Sequence, residues 1–409
     1  MKAYKNIGVN VNAAMGTLAQ IPISIHCWQG DDVTGFDYGG AALGGGIQAT
    51  GNYPGKARTF EELTADFAMA CSFIPGRKRI NLHASYAVFE EGEIPDRGAV
   101  EYRHFKPWVT FAREQGIGID FNPTCFGHEK VKDGLTLSSP DEATHRFWID
   151  HCIRSRKIAS EIGEALNDDV LCNLWIPDGY KNIPADRMSP RLRLKDSLDA
   201  IFAEPLPRVI DCVESKVFGI GLESYTVGSN EFYISYAAQK PSVYPLLDNG
   251  HFHPTEGTAD KIAALLCFFD KLPLHITRPV RWDSDHVPLF DDEVREMCME
   301  IVRNGAIDKV LIGLDFFDAS VNRVAAWVVG TRNVQKALLY ALLMPHDRLR
   351  EAQEAGDFTA LMVLIEEIKT LPFGEAWAAY CDRQGTARDG EWLAKVKSYE
   401  AAIIPQRRS

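Results

Sequence analysis

The chain has no two cysteines within metal-knuckle spacing: its nine stand apart at Cys27, Cys71, Cys125, Cys152, Cys172, Cys212, Cys267, Cys298 and Cys381, and the number is odd. That argues against a disulfide framework and predicts buried thiols in a reducing compartment. No apolar run reaches the ~18 residues that a bilayer span needs. The opening MKAYKNIGVNVNAAMG lacks the apolar stretch of a secretory signal, so the expectation is a cytoplasmic protein. Positive charge is scarce: 44 Lys and Arg against 56 Asp and Glu leave a net charge of −12, which argues against a nucleic-acid or anionic-membrane surface. A small neutral or cationic ligand fits better. There is no GxGxxG fingerprint, hence no signal for a dinucleotide, and no internal repeat or low-complexity tract.

What the chain does have is a succession of short apolar runs. They are IPISIHCW (21–28), RINLHAS (79–85), GIGIDFNPT (116–124), VLCNLWIPD (170–178), VFGIGLES (217–224), YPLLDNGH (244–251), LPLHITRP (272–279) and KVLIGLDFFD (309–318). Continuous rather than alternating apolar character is the mark of parallel strands covered on both faces. Helical segments separate them. One is expected to begin with Ser139 as N-cap, Pro140 in the first turn and Glu142 closing a capping box, and Thr59 with Glu62 repeats the box. In DDEVREMCMEIVRNG, Val294, Met297, Cys298 and Ile301 fall at i, i+3, i+4 and i+7, with Gly305 just beyond. Eight strand–helix alternations predict an α/β protein, a (β/α)8 TIM barrel over residues 1–344, with an open doubly wound sheet as the competing arrangement. The interval after the first run carries the glycine-rich DYGGAALGGGIQATGNYPGK, which reads as a covering loop or a string of turns. Residues 345–409 read as an additional helical C-terminal segment. Neither is needed to close a barrel, so both are candidates for subunit contacts.

Chemistry in such barrels sits where strands end. His26 and Trp28 end the first run, His83 the second, Asp120 and Asn122 the third, Trp175 and Asp178 the fourth. Glu223 ends the fifth, Asp248 and His251 the sixth, His275 the seventh, and Asp315 and Asp318 the eighth. Just past the seventh run, RPVRWDSDHV sets Asp283 and Asp285 two apart, which in an extended backbone puts both carboxylates on one side. Singly, a strand-end Asp is usually a helix cap and a buried His a hydrogen-bonded core residue. Together, Glu223, Asp248, Asp283, Asp285 and Asp315 would repel one another at one mouth unless cations sat among them. With His251 and His275 the donor set is rich in oxygen and free of thiolate. It suits Mn²⁺, Mg²⁺ or Co²⁺ better than a tetrahedral structural Zn²⁺, and seven ligands are enough for two sites.

Four segments, GIGLESYTVGSNEFY, DNGHFHPTE, RPVRWDSDHV and IGLDFFDASVNRVAAW, resemble the signature segments of the L-rhamnose isomerase family. The likeness extends through SIHCWQGDDVTGFD, NLHASYA, FNPTCFGHEK and NLWIPDGYK, and is less distinct over the last ~60 residues. It implies a (β/α)8 barrel that assembles as a homotetramer and interconverts L-rhamnose and L-rhamnulose in rhamnose catabolism. Two divalent ions are implied, manganese first, with Mg²⁺, Co²⁺ and Zn²⁺ as other candidates. Carried over by position, Glu223, Asp248, His275 and Asp315 are expected around a structural metal, and His251, Asp283 and Asp285 around the catalytic one. Asp315 is the first candidate for the base, or for the group that positions a water, and Glu223 the second. A hydride shift between C1 and C2 is favoured over an enediol.

Trp28, Trp175 and His83 are candidates to line the sugar pocket, and Trp282 to support the aspartate loop. A metal-dependent epimerase or another aldose isomerase on the same barrel is the nearest alternative, since fold and ligands do not fix the substrate. A non-catalytic sugar- or metal-binding protein is the alternative of another class. An amidohydrolase would want HxH after the first strand, where this chain has HCW; its only such pair, HFH, comes after the sixth run.

Overall fold

A computed structural model describes every residue except 1, 31, 32, 34, 38–50, 52, 94, 95, 220, 281, 282, 408 and 409. Most of the glycine-rich stretch, and Trp282, therefore lie outside the described residues. Among the described residues there are ten strands: β1 (Ile23–His26), β2 (Lys78–His83), β3 (Gly118–Asn122), β4 (Val170–Leu174), β5 (Gly179–Tyr180), β6 (Val209–Glu214), β7 (Tyr225–Thr226), β8 (Val243–Asp248), β9 (Leu272–Ile276) and β10 (Val310–Leu314). Eight close into a barrel in the order β1-β10-β9-β8-β6-β4-β3-β2, while β5 and β7 pair as a separate antiparallel ribbon. Closure is made by β1, which pairs in parallel with β2 on one side (Ile25 opposite Ile80) and with β10 on the other (Ile23 opposite Ile312). The barrel strands are buried almost throughout, as two-sided coverage by helices demands.

Seven of the eight expected strands fall where the apolar runs lie. The fifth does not: described residues between 217 and 224 form no barrel strand, and the strand is VIDCVE, β6. Its Asp211 disguised it. That carboxylate is neutralised by Arg156, which donates from Nη2 to Oδ2 at 2.6 Å and from Nε to Oδ1 at 2.8 Å. Arg156 comes from the helix Glu142–Leu166, so the compensation is distant in sequence. A second correction concerns that helix's start. Its N-cap is Asp141, accepting from the Thr144 amide at 2.9 Å, and Ser139 instead accepts from the Asp141 amide. Thr59 does cap the helix Phe60–Cys71, and the helix Asp292–Arg303 buries Val294, Met297, Cys298 and Ile301.

Beyond the barrel the chain continues through the helices His346–Glu354, Phe358–Ile368, Phe373–Arg383 and Glu391–Ile403. Ile368, Ala376, Trp377, Tyr380, Cys381, Trp392 and Val396 join the same apolar core as the barrel strands β1 to β3. All nine cysteines are free thiols; seven are buried, Cys71 is half-buried and Cys267 is exposed, so burial does not extend to every thiol as expected. Among the described residues, no helix is long and apolar enough to cross a membrane.

Candidate active site

The C-terminal ends of β6, β8, β9 and β10 deliver Glu214, Asp248, His275 and Asp315 to one point. One ligand atom from each lies within 4.8 Å of all the others. His275 Nδ1 is 3.2 Å from Glu214 Oε1, 3.3 Å from Asp315 Oδ2 and 3.8 Å from Asp248 Oδ2. Glu214 is held from behind by Asn173, which donates to Oε2 at 2.5 Å, and Asp248 by the Gly250 amide at 2.6 Å. The residue missed by sequence reasoning is Glu214, and the residue it displaces is Glu223. Glu223 stands exposed on the surface and does not enter the cluster. The cause is the misread strand: once β6 is taken to be 209–214, the acid at its C-terminal end is Glu214. The available signal was the alternation-free VIDCVE itself, a β-branched run that ends on an acid.

The second trio closes the other side. His251 Nδ1 is 3.5 Å from Glu214 Oε1, and its Nε2 is 3.6 Å from Asp283 Oδ1. Asp283 is ion-paired to Lys216, a side chain also missed from the sequence, which lies 5.7 Å over the Trp175 ring. Asp285 does not sit on an extended backbone. The loop that carries it and Asp283 is closed by an antiparallel bridge between Arg278 and His286, and Asp285 adopts φ +44°, a left-handed conformation uncommon outside glycine that aspartate tolerates better than most residues. Gly250 lies between the two groups: a Cβ there would be 3.0 Å from Asp285 Oδ1 and 3.1 Å from Asp248 Oδ1.

Electrostatically the mouth is a concentration of acids that burial alone would not tolerate. Burial, with Glu214 and Asp315 nearby, pushes Asp248 up to about 7. Burial and then Asp283 drive Asp285 well above the carboxylate range. Burial works against charge on His275, but Glu214 and Asp315 raise it well above the ordinary imidazole value. Burial likewise opposes charge on Lys216, which Asp283 overrides, and that ammonium in turn holds Asp283 low against its own burial. Asp283 Oδ1, Asp285 Oδ1, Asp315 Oδ1 and His251 Nδ1 are buried and accept no hydrogen bond among the described residues. Buried carboxylate oxygens without donors are costly, and a hard divalent cation is the partner this oxygen-rich set suits. The residues therefore fit metal binding.

The remaining expected residues divide. Trp28 packs against His26 (4.7 Å, stacked), His83 (4.8 Å, edge-on) and Phe317 (5.7 Å, stacked), so three strand ends share one aromatic wall. Trp175 meets Phe126 edge-on, and His83 Nδ1 is hydrogen-bonded to Thr124 Oγ1 at 2.8 Å. Asp120 is turned away from the mouth and bound to Arg79 and Ser24. Asp178 is consumed by Thr136 and Ser138, Asn122 donates to Asn81, and Asp318 caps Ser320. His253 is exposed and paired with Thr255.

A family model described as L-rhamnose isomerase (RhaA) matches residues 1–407. The L-rhamnose isomerase of Klebsiella pneumoniae is 52% identical over 407 residues, covering 99% of this chain and 96% of that one. That of Yersinia pseudotuberculosis is 53% identical with the same coverage. Among solved structures, an L-ribulose 3-epimerase aligns with a TM-score of 0.49 at 12% identity, covering 78% of this chain and 95% of that one.

Proposed function

This chain belongs to the L-rhamnose isomerase family, and from that premise we propose that it interconverts L-rhamnose and L-rhamnulose by a hydride shift, as a step in L-rhamnose breakdown. The observation that carries the reading is the convergence of Glu214, Asp248, His275 and Asp315 within 4.8 Å, faced by His251, Asp283 and Asp285. We assign the first four to one divalent ion and the last three to a second, with manganese the first candidate for both. Such ions supply the positive charge that polarises a sugar carbonyl and stabilises an alkoxide.

The chain's own groups account for the protons. From aldose to ketose, a proton leaves O2, hydrogen passes from C2 to C1 with its electron pair, and O1 gains a proton, so atoms and charge balance. Asp315 is our candidate to take the O2 proton: Oδ2 is held by His275 while Oδ1 has no partner among the described residues. Lys216 keeps Asp283 ionised and in place. Glu223 is given no role, because an exposed carboxylate outside the cluster touches none of the reacting groups. Trp28, Trp175 and His83 are assigned to the sugar, whose methyl end suits an aromatic face.

The test is rhamnulose formation from L-rhamnose by chelator-stripped protein in D2O, with and without Mn²⁺. Mn²⁺-dependent ketose that carries no carbon-bound deuterium is expected. Deuterium at C1 would replace the hydride shift by an enediol, and no ketose with Mn²⁺ present would remove the isomerase reading.

The assembly we favour is a homotetramer. Its support is the helix Phe358–Ile368, which leaves Phe358, Met362 and Val363 exposed, an apolar face of the kind that subunit contacts cover. Met362→Glu is expected to lower the mass seen in light scattering; an unchanged mass would exclude this face.

A further inference from the structure

Outside the metal centre, the helix Phe60–Cys71 carries a buried carboxylate, Asp66, that accepts four hydrogen bonds. Its Oδ1 accepts from the Tyr399 hydroxyl at 2.6 Å and Arg407 Nη2 at 3.0 Å; its Oδ2 accepts from Gln29 Nε2 at 2.6 Å and Arg407 Nη1 at 2.7 Å. Arg407 and Asp66 are 341 positions apart, and both side chains are buried. Arg407 also donates to the Gly55 and Glu62 carbonyls. Gly55, at φ +81°, admits the tail: a Cβ there would be 2.9 Å from Ile404. Burying an ion pair is costly unless its geometry is fully met, and a solvent-facing tail has no need of one.

Gln29 passes the connection on. Its Oε1 accepts from the Ala57 amide at 2.8 Å, and its carbonyl accepts from Arg323 Nη1 at 2.9 Å. Arg323 Nη2 donates to the Tyr53 carbonyl at 2.5 Å, Tyr53 donates its amide to Ala319 and its hydroxyl to Glu400. Thus the C-terminal helix, the segments flanking the excursion after β1, and the loop after β10 are tied together around Gln29. The next residue toward β1 is Trp28, whose ring stacks on Phe317 of that same β10 loop.

We propose that Arg407 is a positioning residue: through Asp66 and Gln29, the C-terminal segment straps the Trp28 wall in place and thereby sets sugar affinity. This rests on the isomerase reading and on Trp28 facing the sugar. Three of the four residues assigned to the first ion, Glu214, Asp248 and His275, come from β6, β8 and β9, outside the strap. The fourth, Asp315, lies two residues before Phe317 on the β10 loop, so a fall in kcat and Mn²⁺ affinity is the sign that the loop rather than the wall has moved. A loosened wall weakens ground state and transition state alike, which raises KM and spares kcat.

Three variants test it on the full-length, Mn²⁺-loaded enzyme: Arg407→Ala, Arg407→Lys and Gln29→Met. Arg407→Ala and Gln29→Met are each expected to raise KM for L-rhamnose about tenfold, with kcat and the Mn²⁺ half-saturation within about twofold, and Arg407→Lys to recover part of the loss. Hydrogen exchange gives a readout independent of turnover: amides of residues 27–30 and 53–58 should exchange faster in both variants while β6, β8 and β9 do not change. An unchanged KM in a folded variant, or a parallel fall in kcat and Mn²⁺ affinity, would overturn the strap. Should Arg407→Ala not fold, Gln29→Met, which keeps the ion pair, decides alone. Wild-type protein inactive on L-rhamnose would instead count against the isomerase reading, and the exchange pattern would still decide whether the strap holds residues 27–30.

Discussion

Two sets of buried acids occupy this molecule, and they differ in what surrounds them rather than in how deeply they are buried. Asp66, Asp178 and Asp211 sit around the barrel with their oxygens filled. Asp178 alone accepts from the amides of Thr136 and Ser138 at 2.8 and 3.0 Å and from their hydroxyls at 2.5 and 2.6 Å. Asp283, Asp285 and Asp315, at the mouth, each keep an oxygen with no hydrogen-bond donor among the described residues. Burial by itself raises Asp178 and Asp285 alike, so burial does not separate the two classes. Among these six the supply of protein donors does: where every oxygen has one the acid is structural, and where one is withheld that oxygen is left for a cation or a proton in flight, while Glu214 and Asp248 join the cluster with one oxygen each held by Asn173 and the Gly250 amide.

The largest effect that could break this contrast lies at the mouth. Asp283→Asn should lower kcat on the order of 10³-fold, the scale of removing one preorganised charge from the site, and should also lower the apoprotein's thermal melt, because the buried Lys216 ammonium loses its counter-charge. Adding Lys216→Met to it should recover the melt without recovering the activity; a double variant that melts as low as the single one would put Asp283 with the structural acids. Next is Asp178→Ala, which strands two buried amides; a loss of about 3 kcal/mol in denaturant unfolding is expected, with kcat of the folded fraction unchanged. Glu214→Gln should abolish most of the stabilisation that saturating Mn²⁺ confers, about 2.7 kcal/mol at a hundredfold excess over Kd, and calorimetry with and without the ion reads it directly. The smallest effect sharpens the assignment most. Glu223→Gln should leave the unfolding midpoint where it is, as surface substitutions away from buried networks do, and leave the Mn²⁺ response intact; loss of that response would return Glu223 to the centre.

Much of this was legible beforehand, for a reason visible in the strands themselves. Runs such as LPLHI and VLIGL have to be apolar on both faces, and that character does not depend on any distant partner. Asp248, His275 and Asp315 were found because they close, or immediately follow, such runs. Glu214 was not, because β6 carries Asp211, and only Arg156 on a helix some fifty residues earlier makes that charge acceptable. The apolar VFGIGLE nearby drew the strand, and with it the acid, to the wrong place. Lys216 escaped for a related reason: a lysine is ordinarily exposed, and its burial follows from Asp283, 67 positions away.

What the sequence alone determined is therefore whatever is written in local periodicity and composition: parallel strands separated by helices, with a barrel favoured over an open sheet, and a carboxylate-rich set of strand ends. What only the tertiary structure decided is pairing. Which acid is neutralised by a distant arginine, which keeps a bare oxygen, how Asp285 is turned by its loop, and how Arg407 reaches back to Asp66 all depend on contacts between residues far apart in the chain. Those contacts exist only once the barrel has closed, because charge compensation acts through a few ångströms of space and takes no account of separation along the chain.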